Sequence, residues 1–170
     1  AALAIAAVES LIGGGSRSIA TDVLSEALGQ VTSPGRLQLV GAAPTVLVDA
    51  AHNPHGARAL VSALRESFDF DEWGIVLGIL ADKDAAGIVA ELATVAAHVF
   101  ATAPDSERAN DADTIADLVE AAGIPVTVHR DVADAAEAAR EWAAGSDQAP
   151  HRRAVVIAGS VVLAGEALAL

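Results

Sequence analysis

Short apolar runs alternate with stretches of helical periodicity along most of the 170-residue chain. In the clearest case, the run Thr-Val-Leu-Val from Thr45 predicts a strand buried on both faces, which ends at Asp49. A polar turn follows, with a proline suited to the first turn of a helix. From residue 55 to 67 apolar side chains recur at the spacing of an amphipathic helix, namely at Ala59, Leu60, Ala63 and Leu64. This part of the chain is therefore expected to form a strand, a polar turn and a helix.

The same alternation continues towards the carboxyl terminus. Further strands are predicted over residues 72–80, 98–102, 124–129 and 154–158, and further helices over residues 85–97, 111–122, 131–144 and 161–168. Residues 36–40 are expected to add an antiparallel edge strand, and the polar loop 145–153 is expected to be disordered at its tip. The pattern predicts an α/β fold with a Rossmann-like, mostly parallel sheet of five to six strands and helices on both faces.

The first part of the chain lacks this alternation of strands and helices. Two helical stretches, residues 1–12 and 19–28, are separated by the glycines 13–15, and a Pro/Gly-containing segment begins at Val31. This change predicts a domain boundary, with residues 1–31 forming a helical tail and linker and residues 32–170 forming one α/β domain. The chain also begins within an apolar run and contains no methionine, so we expect it to be a piece of a longer protein.

Composition narrows the possible functions. Hydrophobic residues make up 53% and aromatic residues 3%, so the core must be built from Ala, Val, Leu and Ile. No apolar run approaches the ~20 residues that span a bilayer, and we expect a cytoplasmic protein. Cysteine is absent, which excludes disulfides and thiolate chemistry, and no metal ligand is assigned. The net charge of −13 opposes binding to nucleic acid or anionic membranes, so a basic side chain such as Lys83, the single lysine, is informative.

Polar side chains follow two of the predicted strands directly. Asp49, His52 and Asn53 come after the first buried strand, and Asp82 and Lys83 come after the second. In open α/β sheets ligands bind outside the carboxyl ends of the strands, so these residues are candidates for one site. Each also has a structural interpretation, in which the acidic and amide side chains close turns or cap helices while the lysine is solvated.

Several chemistries are disfavoured by missing motifs. No lysine follows the glycines 13–15 in the spacing of a P-loop, and no Gly-x-Gly-x-x-Gly follows any strand, which argues against a nicotinamide Rossmann domain. Ser160, after the last strand, lacks the Gly-x-Ser-x-Gly elbow of an acyl nucleophile, so its hydroxyl is expected to bind a carboxylate instead.

The segment Asp-Ala-Ala-His-Asn-Pro from Asp49 resembles the Asp-Gly-Ala-His-Asn-Pro signature of folylpolyglutamate synthases, bacterial dihydrofolate synthases included, within the Mur ligase superfamily. Ala50 here replaces the glycine. Four further segments are similar to motifs of this family and occur in the same order: Pro-Gly-Arg-Leu-Gln at 34–38, Asp-Lys-Asp at 82–84, Arg-Ala at 108–109, and Gly159, Ser160, Gly165 and Glu166 near the end.

The resemblance implies ATP-dependent addition of L-glutamate to dihydropteroate or a folate through an acyl phosphate. It implies that the nucleotide is bound by Arg36, Asp49, His52 and Asn53, with Arg36 on the phosphates and Asp49 on the ribose. It also implies that the substrate is bound by Asp82, Lys83, Arg108 and Ser160, and that His52 and Lys83 are catalytic.

The resemblance further implies that residues 1–31 are the tail of an amino-terminal ATPase domain, which would hold Mg²⁺ and most of the ATP. The chain alone is then expected to be inactive. A cell-wall Mur-type amino-acid ligase and a non-catalytic nucleotide-binding module remain alternatives. The sequence does not separate dihydrofolate synthesis from polyglutamylation, and it does not give the oligomeric state.

Overall fold

The computed structural model describes residues 2–14, 18–31, 33–145 and 152–170, and the chain divides into two compact units, Ala1–Pro34 and Gly35–Leu170. The predicted glycine turn falls partly, and the tip of the predicted loop 145–153 entirely, outside the described residues. Within the described ranges, no helix combines the length and the apolar character needed to cross a bilayer.

The first unit consists of two helices, α1 (Ala2–Gly13) and α2 (Thr21–Gly29). The carboxylate of Glu9 on α1 accepts a hydrogen bond of 3.0 Å from the backbone N–H of Ile19, just before α2. None of the described residues of this unit is buried, and Leu3 is 89% exposed. The two helices therefore present apolar side chains without enclosing a core of their own.

The second unit is built around a six-stranded sheet. Its elements in chain order are β1 (Gln38–Ala42), β2 (Thr45–Val48), α3 (Pro54–Ser67), β3 (Glu72–Leu77), α4 (Ala85–Leu92), β4 (Ala96–Ala101), α5 (Ala112–Ala121), β5 (Val126–Val128), α6 (Val132–Ala144), β6 (Arg153–Ala158) and α7 (Val161–Ala167). The strand order is β1-β2-β6-β3-β4-β5, with β1 antiparallel to β2 and all other neighbours parallel. The predicted fold class, including the antiparallel edge strand, is confirmed.

Helices cover both faces of the sheet and create two separate cores. Helices α3, α4 and α5 pack on one face, where Leu64, Ile88 and Ile115 are fully or almost fully buried. Helices α6 and α7 pack on the other face, where small residues such as Ala135 and Ala139 let the helix approach the strands closely. Because the central strands β2, β6 and β3 bury both faces, they have continuous apolar sequences rather than alternating ones.

The inward stripe of α3 differs from the predicted one by two residues. Leu60 and Leu64 are buried as expected, but Ala57 and Val61 complete the stripe, while Ala59 is exposed. At 3.6 residues per turn the two stripes differ by a rotation of roughly 80° about the helix axis. Alanine is too weakly apolar to decide between them from sequence.

The boundaries around α4 also differ from the sequence prediction. The predicted helix 85–97 ends at Leu92, and β4 begins at Ala96, because the backbone there pairs with β3, with Ala96 opposite Trp73. The predicted strand 72–80 ends at Leu77, and beyond it Leu80 forms an isolated antiparallel bridge with Ala109. Pairing in the sheet thus overrode local preference.

Two glycines near α7 should respond in opposite ways to replacement by alanine. Gly159 has φ +119°, and a Cβ there would lie 2.7 Å from the carbonyl oxygen of Gly78, so Gly159→Ala should lower the free energy of unfolding by about 2–3 kcal/mol. Gly165 lies within α7 with nothing within 4 Å of a Cβ, so Gly165→Ala should raise it by about 0.5–1 kcal/mol. Urea denaturation of the two variants measures the difference, and equal midpoints would contradict this account of Gly159.

Candidate functional site

The sheet order brings three loops to one edge of the sheet. Strands β2, β6 and β3 are parallel neighbours, so the loops that follow them lie side by side. Backbone hydrogen bonds continue the ladder beyond the strand ends, from Asp49 N–H to Ile157 O at 2.9 Å and from Gly159 N–H to Ala51 O at 3.0 Å. We use the name carboxyl rim for the carboxyl-terminal ends of the parallel strands together with the loops that follow them.

Asp49 is tied into the backbone of the carboxyl rim. Its two carboxylate oxygens accept hydrogen bonds from Leu37 N–H at 3.0 Å and Ala51 N–H at 2.9 Å, and the residue is only 8% exposed. The structural interpretation of Asp49, closure of the turn, therefore describes what it does here. The contact with a ribose stays a prediction.

The same hydrogen bonds fix the place of Arg36. Leu37 is held by Asp49, and the carbonyl oxygen of Gly35 accepts a hydrogen bond of 2.7 Å from Ala50 N–H. Arg36 lies between these two anchored residues and is exposed. The turn needs unusual backbone angles, with φ +67° at Gly35 and +44° at Leu37. The buried carboxylate of Asp49 thus holds the segment around Arg36 at the carboxyl rim, a contact that the sequence did not predict.

His52 and Asn53 occupy the turn between β2 and α3. The Nδ1–H of His52 donates a hydrogen bond of 2.8 Å to Ala50 O, because a carbonyl oxygen can only accept. This assignment leaves Nε2 of the neutral ring as an acceptor. Oδ1 of Asn53 accepts a hydrogen bond of 2.8 Å from Gly56 N–H and caps α3, so the amide of Asn53 has the structural role that the sequence left open.

The turn after β2 lies against the start of α4, which follows β3. A Cβ on Gly87 would come 2.7 Å from Cγ of Pro54, and Asp84 caps α4 by accepting a hydrogen bond of 2.9 Å from Gly87 N–H. The loop that contains Lys83 is thereby a direct neighbour of the turn that contains His52.

Asp82, Lys83 and Arg108 form a cluster of charges at the carboxyl rim. Oδ1 of Asp82 lies 2.7 Å from a terminal nitrogen of Arg108, and Oδ2 lies 2.9 Å from Nζ of Lys83. Hydrogen bonds from Lys83 and then from Arg108 hold the pKa of Asp82 well below its usual value, at about 2. Three residues assigned to the substrate on the basis of sequence are thus in direct contact.

The loop that carries Arg108 is attached to the end of β3. Ala81 N–H donates to Arg108 O at 2.7 Å, and Asn110 N–H donates to Ile79 O at 2.9 Å. On its other side, Oε1 of Glu166 in α7 accepts a hydrogen bond of 2.8 Å from the N–H of Asp105 in the same loop. Glu166 had appeared only as part of a motif, and no local signal in the sequence pointed to this contact.

Ser160 lies between β6 and α7 at the same rim, but its side chain is fully buried. Its hydroxyl accepts a hydrogen bond of 2.9 Å from Leu163 N–H and caps α7. A contact between Ser160 and a substrate carboxylate stays a prediction.

The fold is that of a mostly parallel α/β domain with polar loops at the carboxyl ends of its strands. Residues 35–161 match the protein family described as "Mur ligase, glutamate ligase domain", and the chain belongs to this family.

Among its relatives, the dihydrofolate synthase/folylpolyglutamate synthase of Mycobacterium tuberculosis is 41% identical, with all of this chain and 37% of the relative covered. A solved Mycobacterium tuberculosis folylpolyglutamate synthase complexed with ADP and AMPPCP superposes with a TM-score of 0.90 at 39% identity, over 98% of this chain and 38% of the other. A bifunctional folylpolyglutamate synthase/dihydrofolate synthase with Mn, AMPPNP and L-glutamate bound gives a TM-score of 0.72 at 28% identity, over 91% and 36%. The chain thus spans less than half the length of these relatives.

The Asp82 cluster makes a prediction about acid titration. Because the pKa of Asp82 is about 2 when folded and an ordinary aspartate titrates at ~3.9, the interaction is complete above about pH 4 and is lost as the pH falls towards 2. Solvent screens these exposed groups, so the stability that is lost with the interaction is small. A ¹³C titration of the side-chain carboxyl should show Asp82 still ionised at about pH 3. In Lys83→Ala the midpoint should move up towards the ordinary value, and an unchanged midpoint in this variant would contradict the assignment.

Proposed function

We propose that this chain is the carboxyl-terminal part of an ATP-dependent ligase that adds L-glutamate to dihydropteroate or to a reduced folate through an acyl phosphate. The observation that carries the proposal is the pair of cations, Lys83 and Arg108, at the carboxyl rim beside the His52 turn. The relatives named above support it, since two of them have bound nucleotide analogues and one has L-glutamate.

The nucleotide would lie along the start of α3 and the linker. Arg36 is exposed and anchored on both sides, and its guanidinium suits bidentate contacts to phosphate oxygens. Asp49 would contact the ribose, and Asn53 would also contact the nucleotide, as the family resemblance implies. His52, with Nε2 as an acceptor, can bind the nucleotide or take a proton from the attacking amine of glutamate.

The glutamate and the acyl phosphate are both anionic, and they would meet Lys83 and Arg108. Positive groups that already face the position where negative charge develops stabilise the transition state of the acyl transfer. In a chain of net charge −13 such groups must be supplied locally. Ser160 would add a hydrogen bond from its hydroxyl hydrogen if the start of α7 opens to the ligand.

Mg²⁺ would be held elsewhere. In the described part of the chain, no group of three or more His, Cys, Asp or Glu side chains is placed to hold a metal ion, so we assign it no residue here. We propose that Mg²⁺ and most of the ATP are bound by an amino-terminal ATPase domain, whose tail is formed by residues 1–31. The exposed apolar side chains of α1 and α2 support this, because such surfaces pack against another part of a protein. A cytoplasmic location belongs to the same proposal.

The full-length protein should release ADP over repeated turnovers only when glutamate and a suitable acceptor are both present, because the amine of glutamate must consume the acyl phosphate before another ATP can react. We expect release with dihydropteroate, with tetrahydrofolate or with both, and a coupled ADP assay with each acceptor in turn measures it. Release only with a cell-wall precursor would favour the Mur-type alternative, and no release with any acceptor would favour the non-catalytic module.

Lys83→Ala in the full-length protein should raise the KM for glutamate about tenfold or lower kcat, because it removes a charged hydrogen bond worth roughly 1.5–3 kcal/mol. Steady-state kinetics at varied glutamate test this. Arg65→Ala is the matched control, since Arg65 lies in the last turn of α3, at the end of the helix opposite the His52 turn, and donates a hydrogen bond to the carbonyl oxygen of Thr94. Unchanged kinetics in Lys83→Ala would contradict the role of this lysine.

A further inference from the structure

Asp82 connects two cations that come from different loops. Lys83 follows β3 and Arg108 follows β4, and each binds its own oxygen of the Asp82 carboxylate, at 2.9 Å and 2.7 Å. The hydrogen bonds between the two loops fix the backbone of Arg108 but leave the direction of its long side chain open. The Asp82 carboxylate is the side-chain contact that sets this direction.

The negative charge of Asp82 makes it unsuited to bind the anionic groups of the ligand directly. A carboxylate repels the carboxylates of glutamate and the phosphoryl oxygens of an acyl phosphate. Both of its oxygens are also taken, one by each cation. Lys83 and Arg108, in contrast, keep further N–H donors that Asp82 does not use. Any effect of Asp82 on the binding of these anionic groups would therefore pass through the two cations.

The cluster is too exposed to add much stability. The side chains of Asp82, Lys83 and Arg108 are 44%, 31% and 64% exposed, and ion pairs at such exposure contribute little to folding. Free Lys and Arg side chains each sample many rotamers, so an anchor that restricts them lowers the entropy that a ligand must overcome. The gain from this carboxylate should therefore appear in binding rather than in folding.

We propose that Asp82 is a positioning residue, which holds the Lys83 ammonium and the Arg108 guanidinium side by side so that both bind one anionic substrate group. This inference rests on the proposed function, in which that group belongs to glutamate or to the acyl phosphate. It gives Asp82 a role different from the direct substrate contact that the family resemblance implies, and that contact stays a prediction.

The kinetic test is Asp82→Asn in the full-length protein, which keeps the size of the side chain and removes its charge. The KM for glutamate should rise about 5- to 20-fold, while kcat changes less than about threefold and the KM for ATP stays constant. Asp82→Glu restores the charge and should recover part of the loss. Asp69→Asn, which breaks an exposed pair with Arg152 at the opposite edge of the sheet, where β3 and β6 begin, is the matched control and should leave all constants unchanged.

A double-mutant comparison separates action through the cations from direct contact. In an Arg108→Ala background, Asp82→Asn should raise the KM for glutamate by a clearly smaller factor than in the wild type. An equal factor in both backgrounds would overturn the proposal, and so would an unchanged or lowered KM in the single variant.

A second measurement does not depend on turnover. ¹⁵N relaxation of the Arg108 Nε–H should show an ordered side chain in the wild type and a mobile one in Asp82→Asn, and equal mobility in both would overturn the positioning role. If the wild type releases no ADP with either folate acceptor, the proposed function fails, and the relaxation data still decide whether Asp82 positions Arg108.

Discussion

The arrangement of this domain depends on the burial of β6 between β2 and β3. Residues Ala154–Ala158 of this strand have almost no exposed surface on either face, so the strand can lie only in the middle of the sheet. Its parallel pairing with both neighbours then brings the carboxyl ends of β2, β6 and β3 together. The carboxyl rim is a consequence of this packing, which makes neighbours of residues that lie far apart in the sequence.

At each of these three strand ends a side chain caps the following helix. Asn53, Asp84 and Ser160 each accept a hydrogen bond from the backbone N–H three residues later. In two of the three cases the residue just before the cap is a candidate for chemistry, His52 before Asn53 and Lys83 before Asp84. The capping residue fixes the turn, and its neighbour is thereby held at the carboxyl rim. Structural and functional interpretations of such motifs are compatible, because they apply to adjacent residues.

The sequence predicted the fold well because the strands and α3 have clear periodicity and clear ends, such as the polar turn after Val48. It failed at α4 and β4, where alanine-rich residues suit a helix and only pairing with Trp73 and its neighbours makes them a strand. It named Asp82 and Arg108 separately, since residues 26 positions apart meet only through the order of the sheet. It also did not reveal the hydrogen bond from Leu37 N–H to the Asp49 carboxylate, which holds the segment around Arg36, because this bond is made by a backbone with a positive φ at Leu37.

The ion pairs of the carboxyl rim differ in composition from the other ion pairs of the described residues. Elsewhere in the described residues each carboxylate of an ion pair binds a single arginine, as Glu91 binds Arg58 and as Asp69 and Asp71 both bind Arg152. At the carboxyl rim one carboxylate, that of Asp82, binds two cations, Lys83 and Arg108. Exposed ion pairs add little to folding, so stability does not account for this arrangement. Binding of an anion does account for it, because the shared carboxylate holds both cations in place and leaves each of them N–H donors that an anionic ligand can use.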